Sequence, residues 1–169
     1  MKILETDRLV IRHLTTDDTA FILELLNEPS FIQNIGDRNV KTEDDARKYL
    51  LNGPIESYNK NGFGLFMVEL KDSFVPIGMC GLIKRDNLPD ADVGFAFLPK
   101  YWMKGYAFES ASAVLKFAKE TIGLKRILGI VNPDNVASIR VLEKLGLKFE
   151  SMVKMPQDNF EIKLFATNL

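Results

Sequence analysis

Leu9-Val10-Ile11 opens a short β-branched run that continues to Leu14 and meets Thr15-Thr16-Asp17-Asp18, whose side-chain oxygens can cap a helix. Phe21, Ile22, Leu25 and Leu26 then recur at helical spacing. Pro29 ends that helix, because a residue before proline avoids the helical region. Thr42 followed by Asp45 is a second capping signal and opens a helix through Ala46, Tyr49 and Leu50, which Gly53-Pro54 interrupts. Between the two helices, Asn34 to Val40 mixes glycine with polar residues without a period and reads as a loop.

From Gly64 the period changes. Leu65 to Leu70 and Val75 to Leu82 flank the polar turn Lys71-Asp72-Ser73 and predict a hairpin. A further strand, Asp92 to Phe97, runs into Pro99 and a glycine-bearing turn, after which Ala107, Ala111, Val114, Leu115, Ala118 and Ile122 take helical spacing up to Gly123. The apolar run Ile127 to Val131 reads as a buried strand ending at Asn132-Pro133-Asp134-Asn135. A short helix through Ala137, Val141, Leu142 and Leu145 then stops at Gly146. Phe149 to Val153 and Phe160 to Ala166 close the chain as a pair of strands. Strands alternating with helices, and hairpins where turns are short, predict a mixed α/β fold with one sheet between helices. No repeat or linker divides the chain, so residues 1–169 are expected to form one domain.

Composition narrows the function. Hydrophobic residues make up 46% and charged residues 27% of 169 residues, an ordinary globular balance. A formal net charge of -1 with both signs interleaved provides no basic stripe for nucleic acid. No apolar run approaches the roughly 20 residues of a membrane span, and the N-terminus lacks the pattern of a secretory signal. A cytoplasmic protein without membrane or nucleic-acid partners is therefore expected; its assembly is expected to be monomer or homodimer. Cys80 is the one cysteine and His13 the one histidine, so neither a disulfide nor a Cys/His metal cluster can form. No metal is expected. Cys80 reads as a core thiol and His13 as a packed strand residue, since no base or nucleophile partner stands near either in sequence.

The strongest local chemistry is the strand-to-helix turn at Trp102 to Ala107. The first amides of a helix lack internal partners, Gly105 lets successive N–H groups curl round an anion, and Lys104 adds positive potential. A pyrophosphate would suit it; a plain connecting turn is the alternative. No G-x-x-x-x-G-K-S/T occurs, and Gly62-Phe63-Gly64 leads into a strand, where a dinucleotide fingerprint requires a helix.

The stretch Pro99 to Ala107 resembles the coenzyme A loop of the GNAT acetyltransferases, with Gly105 and Ala107 matching its small residues and Trp102 where Gln or Arg is commonest. Tryptophan there, Glu5 to Arg12 near the start and Asn135 to Gly146 near the end are together similar to the branch that acetylates ribosomal-protein N-termini. The resemblance implies a GNAT fold: a central mixed, mostly antiparallel and splayed sheet flanked by helices on both faces. It also implies acetyl-CoA as cosubstrate and a primary amine as acceptor, either a peptide N-terminus or a small amine. Met103, Lys104, Gly105, Tyr106, Ala107 and Phe108 would hold the pyrophosphate. Backbone groups of Phe95, Ala96 and Phe97 would pair with the pantetheine amides like an added strand, which requires that edge to splay from the next strand. Asn135 and Ser138 match positions facing the pantetheine and the sulfur; a plain helix cap is the alternative for Asn135.

Direct attack in a ternary complex is expected, since no Cys/His or Ser/His pair supports a covalent intermediate. Ile130 and Leu142 stand where relatives carry a basic glutamate and an acidic tyrosine, so those roles do not transfer. Asp92 matches an acidic position of the ribosomal-protein branch and could take the amine proton; otherwise it is a solvated strand-end carboxylate. Ser138 is the candidate to stabilise the departing thiolate, with helix packing as its alternative. Asn34 to Val40 and Asn87 to Asp92 are candidates for the acceptor side, with acidic groups favouring a cationic amine. A coenzyme A-binding module without catalysis is the alternative function.

Overall fold

The two capping boxes form as the sequence predicts. The Thr15 side chain accepts from the backbone at the start of a 3-10 turn, Thr16–Asp18, which runs into α1 (Thr19–Leu26). Thr42 and Asp45 cap each other reciprocally at the start of α3 (Glu43–Leu50). Between them lies α2 (Pro29–Asn34), a helix that the sequence pattern does not announce. Pro29 both ends α1 and opens α2, because its fixed φ and missing N–H suit the first position of a helix. Gly53-Pro54 does not break the second helix either. The backbone widens into a π turn, Leu51–Ile55, which accommodates Pro54, and continues as α4 (Glu56–Asn61).

The structure, a computed structural model, describes residues 1–156 and 158–169. Its strands are β1 (Lys2–Glu5), β2 (Leu9–His13), β3 (Leu65–Leu70), β4 (Pro76–Ile83), β5 (Asp92–Phe97), β6 (Arg126–Val131), β7 (Lys148–Lys154) and β8 (Glu161–Asn168). They form one eight-stranded sheet in the order β1-β2-β3-β4-β5-β6-β8-β7. Among the described residues only β5 and β6 pair in parallel. The short β1, half-exposed and without a clear alternation, gave no signal in the sequence.

Alternation along the strands sorts the core into two layers. Phe66 and Val68 of β3, with Cys80 and Leu82 of β4, face α5 (Tyr106–Phe117) and its π extension Ala118–Ile122, which stops at Gly123 in the left-handed region. Met67 and Met79 point the other way, onto Leu25 of α1 and Leu50 of α3. The last helix, α6 (Val136–Lys144), packs Leu142 onto Gly129 of β6, where a Cβ would lie 2.8 Å from the leucine. Leu142 is a core residue held by that close approach.

The carboxylates of Asp18 and Glu69 meet Arg12 inside this frame. Arg12 binds Asp18 through both terminal nitrogens at 3.0 and 2.9 Å and Glu69 through Nε at 3.0 Å. The fork thereby ties β2 to β3 and to the start of α1. His13 stacks on Tyr58 at 4.0 Å between centroids, and burial lowers its pKa, so it is a neutral packed side chain. Cys80 is fully buried and burial pushes its thiol up to about 12, which suits a core thiol and not a nucleophile.

Candidate active site

β5 and β6 touch at one register position, Asp92 opposite Leu128, where the Leu128 N–H donates to the Ala91 carbonyl at 2.9 Å. Beyond it the strands part, so the predicted splay is present. Strand period then decides which backbone groups face the gap. Leu98 donates to Ile77 of β4, which puts Leu98, Ala96 and Gly94 in the β4 ladder and turns Phe97, Phe95 and Val93 outward. Ala96 therefore offers the gap no backbone group, a correction to the expectation that Phe95, Ala96 and Phe97 would all pair with an arm lying there. The Phe97 carbonyl is also engaged, accepting from the Trp102 indole Nε1 at 2.9 Å. The backbone groups left facing the gap are the C=O of Val93, the N–H and C=O of Phe95 and the N–H of Phe97. An extended diamide fits such an edge.

Past the end of β5, Met103 and Gly105 both take the left-handed conformation, with φ of 60° and 83°. For methionine that costs roughly 1 kcal/mol, strain of the kind held at binding turns. The two left-handed residues turn successive amides outward ahead of α5, and the N–H groups of Met103 to Phe108 find no backbone acceptor among the described residues. Lys104 is exposed beside them, and Lys144 of α6 lies with Nζ 4.2 Å from the Phe108 ring centroid. The turn has the geometry of a nest at a helix N-terminus, and its donors and charge are of the kind that could hold a pyrophosphate.

A cavity of about 350 Å³ begins at the splay and reaches the segment around α2. Phe95, Ala96, Asn135 and Ser138 line it, together with Ile35, Arg38, Tyr49, Arg85 and Phe160. Asn135 caps α6, its side-chain oxygen accepting from the Ser138 N–H at 3.3 Å, so the cap reading holds alongside its place in the wall. The Ser138 hydroxyl makes no hydrogen bond among the described residues. Asp92 also lines the cavity, and it is not the solvated strand-end carboxylate the sequence allowed: it is 1% exposed and accepts from Arg85 Nε at 2.9 Å. Burial pushes its carboxyl up while Arg85 pulls it back, leaving it above the ordinary value.

A family model described as the acetyltransferase (GNAT) domain matches residues 8–148. The chain belongs to the GNAT acetyltransferase family. It is similar to the uncharacterized N-acetyltransferase YnaD of Bacillus subtilis, 30% identical over 158 residues that cover 92% of this chain and 89% of that one. The crystal structure of a GNAT-family acetyltransferase from Bacillus anthracis superposes with a TM-score of 0.80 at 30% identity, covering 99% and 98% of the two chains. RimL, the ribosomal L7/L12 alpha-N-protein acetyltransferase solved with coenzyme A, shares the fold, with a TM-score of 0.85 at 16% identity over 100% of this chain and 98% of that one. The mixed, mostly antiparallel eight-stranded sheet flanked by helices is thus a GNAT fold, and the protein is an acyltransferase of the N-acetyltransferase type. Among the described residues no group of acidic, histidine and cysteine side chains could hold a metal, and no helix is long and apolar enough to cross a membrane.

Within this GNAT frame the predicted residues divide between two places. Met103 to Phe108 form the turn, whereas Asp92, Phe95, Ala96, Asn135 and Ser138 share the cavity wall. Of the Asn87 to Asp92 stretch Asp92 lines the cavity, while Leu88 and Ala91 are buried in the core. Sequence reasoning missed Arg85 and Tyr49. Opposite charges flanking the β4–β5 connection were the signal for Arg85; Tyr49 sits at helical core spacing and gave none.

Proposed function

We propose that this GNAT enzyme moves the acetyl group of acetyl-CoA to a primary amine, a peptide N-terminus or a small amine, by direct attack within one ternary complex. The chain would act as one catalytic domain in the cytoplasm, as monomer or homodimer. The observation that carries the reading is the splay: the open Phe95 edge leads from the amide turn into a cavity that also holds Asp92 and Ser138.

The pyrophosphate binds the amides of Met103 to Phe108, with Lys104 beside them. The pantetheine amides pair with Phe95, and Asn135 and Ser138 face the arm near its sulfur. The amine nitrogen attacks the thioester carbonyl carbon, whose oxygen gains charge and is met by strand N–H groups. The C–N bond forms, the C–S bond breaks and the electron pair leaves on sulfur. Asp92, whose raised pKa suits a base, takes the amine proton directly or through water. Ser138 donates a hydrogen bond to the thiolate, which the medium then protonates.

An acetyl-CoA consumption assay over N-terminal peptides and small amines, with the product's mass measured, tests the reading. Sequential kinetics and a gain of one acetyl group on the amine are expected. Coenzyme A should also raise the melting temperature, because a native-state ligand must. Stabilisation without turnover would instead leave a binding module, and parallel double-reciprocal lines would point to an acetyl-enzyme.

A further inference from the structure

Two arginines of this chain are equally covered yet bonded very differently. Arg12, with its side chain 22% exposed, spends Nε and both terminal nitrogens on Asp18, Glu69 and the His13 carbonyl. Arg85, with its side chain 23% exposed, makes a single bond, from Nε to Asp92 at 2.9 Å. Neither of its terminal nitrogens has an acceptor among the described residues. Arg85 lines the cavity, so a planar pair of charged donors, held in place by a carboxylate that is 2% exposed, is available to a molecule inside it.

We infer that the acceptor carries a carboxylate close to its amine and that Arg85 binds that carboxylate. The inference rests on the reading that this cavity takes the acceptor. Guanidinium nitrogens match the two oxygens of a carboxylate, and bonds between charged groups are the strongest a half-buried site can offer. The neighbour matters as much as the donor. Arg85 and Asp92 set a positive charge beside a negative one, and a molecule with an amine and a carboxylate a few bonds apart lies over the pair in the reverse sense. Its carboxylate then meets Arg85, and its amine meets Asp92, the group assigned to take the proton.

The charges of the wall agree. Arg38, Arg85, Asp92 and Asp158 line the cavity. Once Arg85 and Asp92 neutralise each other, one charge of each sign remains. The expectation that acidic groups here favour a cationic amine therefore loses its basis, and a polyamine finds no negative field. If Arg85 merely neutralised Asp92, water would satisfy its free nitrogens and the acceptor's carboxylate would be irrelevant.

Matched acceptors separate these cases. The wild-type protein is assayed with free amino acids and their carboxamides, with peptides that begin with aspartate or with asparagine, and with a polyamine. The carboxylate member of each pair should have kcat/KM higher by roughly ten- to a hundredfold, the range for one hydrogen bond to a charged group. The free-acid and peptide arms tell whether the carboxylate is an amino acid's own or an acidic first side chain. Arg85→Lys keeps a cation beside Asp92 but loses the planar fork, and should shrink the ratio towards one through KM. Equal rates for acid and amide, or preference for the polyamine, overturn the inference and leave acetyl transfer standing. If no acceptor turns over, the same compounds are titrated calorimetrically into protein saturated with coenzyme A. Selective binding of the acids then supports the carboxylate site while counting against transfer; binding without selectivity, or none, overturns the site.

Discussion

Arg8 holds Glu109 from both its backbone and its side chain: the N–H reaches Oε1 at 3.1 Å and Nε reaches Oε2 at 2.7 Å. Thr6 adds its hydroxyl to Oε1 at 2.6 Å, and the Arg8 guanidinium lies 4.4 Å over the Tyr106 ring. These contacts fasten the β1–β2 connection to the first turn of α5, immediately after the amide turn. Arg12, in β2 just after that connection, holds Asp18 and Glu69. The Glu5 to Arg12 stretch therefore works as a clamp on the framework of the site.

The clamp has a pH signature. Burial alone would raise the Glu109 carboxyl, but the hydrogen bonds from Thr6 and Arg8 outweigh it and leave its pKa lowered. A carboxylate held below its unfolded value stabilises the fold above that value, and the contribution is lost as pH falls through the folded one. Glu109→Gln should lower stability by about 1–3 kcal/mol at neutral pH. Melting temperatures of the two proteins should converge as pH drops below the usual carboxylate range; a constant gap would assign the loss to shape, not charge.

Gly105→Val is expected to weaken coenzyme A binding more than it destabilises the fold. A side chain at φ of 83° is strained, and the new Cβ would also sit 3.4 Å from an Arg8 terminal nitrogen. Calorimetry on the folded variant decides, and unchanged affinity would remove the phosphate assignment from this turn.

With saturating acetyl-CoA, kcat/KM for the amine should rise with pH along a limb set above the ordinary aspartate value, because a base must be ionised and burial raises the Asp92 carboxyl. Asp92→Asn should remove that limb and leave only the acceptor's own titration, while donor affinity stays within a few-fold. The melting temperature should also fall, since Arg85 loses its charged partner. A loss of equal size at every pH would make Asp92 a positioning residue.

Ser138→Ala deletes a hydroxyl that has no hydrogen bond among the described residues, so folding should be unaffected. The rate constant should fall about ten- to a hundredfold with little change in the Michaelis constant for acetyl-CoA, the pattern of a bond made only as charge develops on sulfur. A thioester with a more acidic leaving thiol should narrow the gap. A rate ratio near one with the natural donor would leave Ser138 as a packing residue.

Sequence alone determined what short-range physics encodes. Thr15 and Thr42 announce their helices through caps, Asp92 to Phe97 is readable as a strand from its flanks, and Gly105 marks the amide turn because only glycine takes that conformation without strain. The tertiary structure decided everything that depends on a partner distant in the chain or on strand register. Alternation against β4 closed the Ala96 backbone to the gap and opened Phe95, a choice invisible until the register is set. For Asp92 the sequence left a proton acceptor and a solvated strand-end carboxylate both open, and the solvated reading fell because β6 and Arg85 cover the side chain. α2 and β1 are silent in the sequence because Pro29 marks an end as much as a beginning, and a half-exposed edge strand carries no hydrophobic period. Local patterns specify elements through bonds within a few residues, whereas burial, charge pairing and the splay arise only when separate strands are brought side by side.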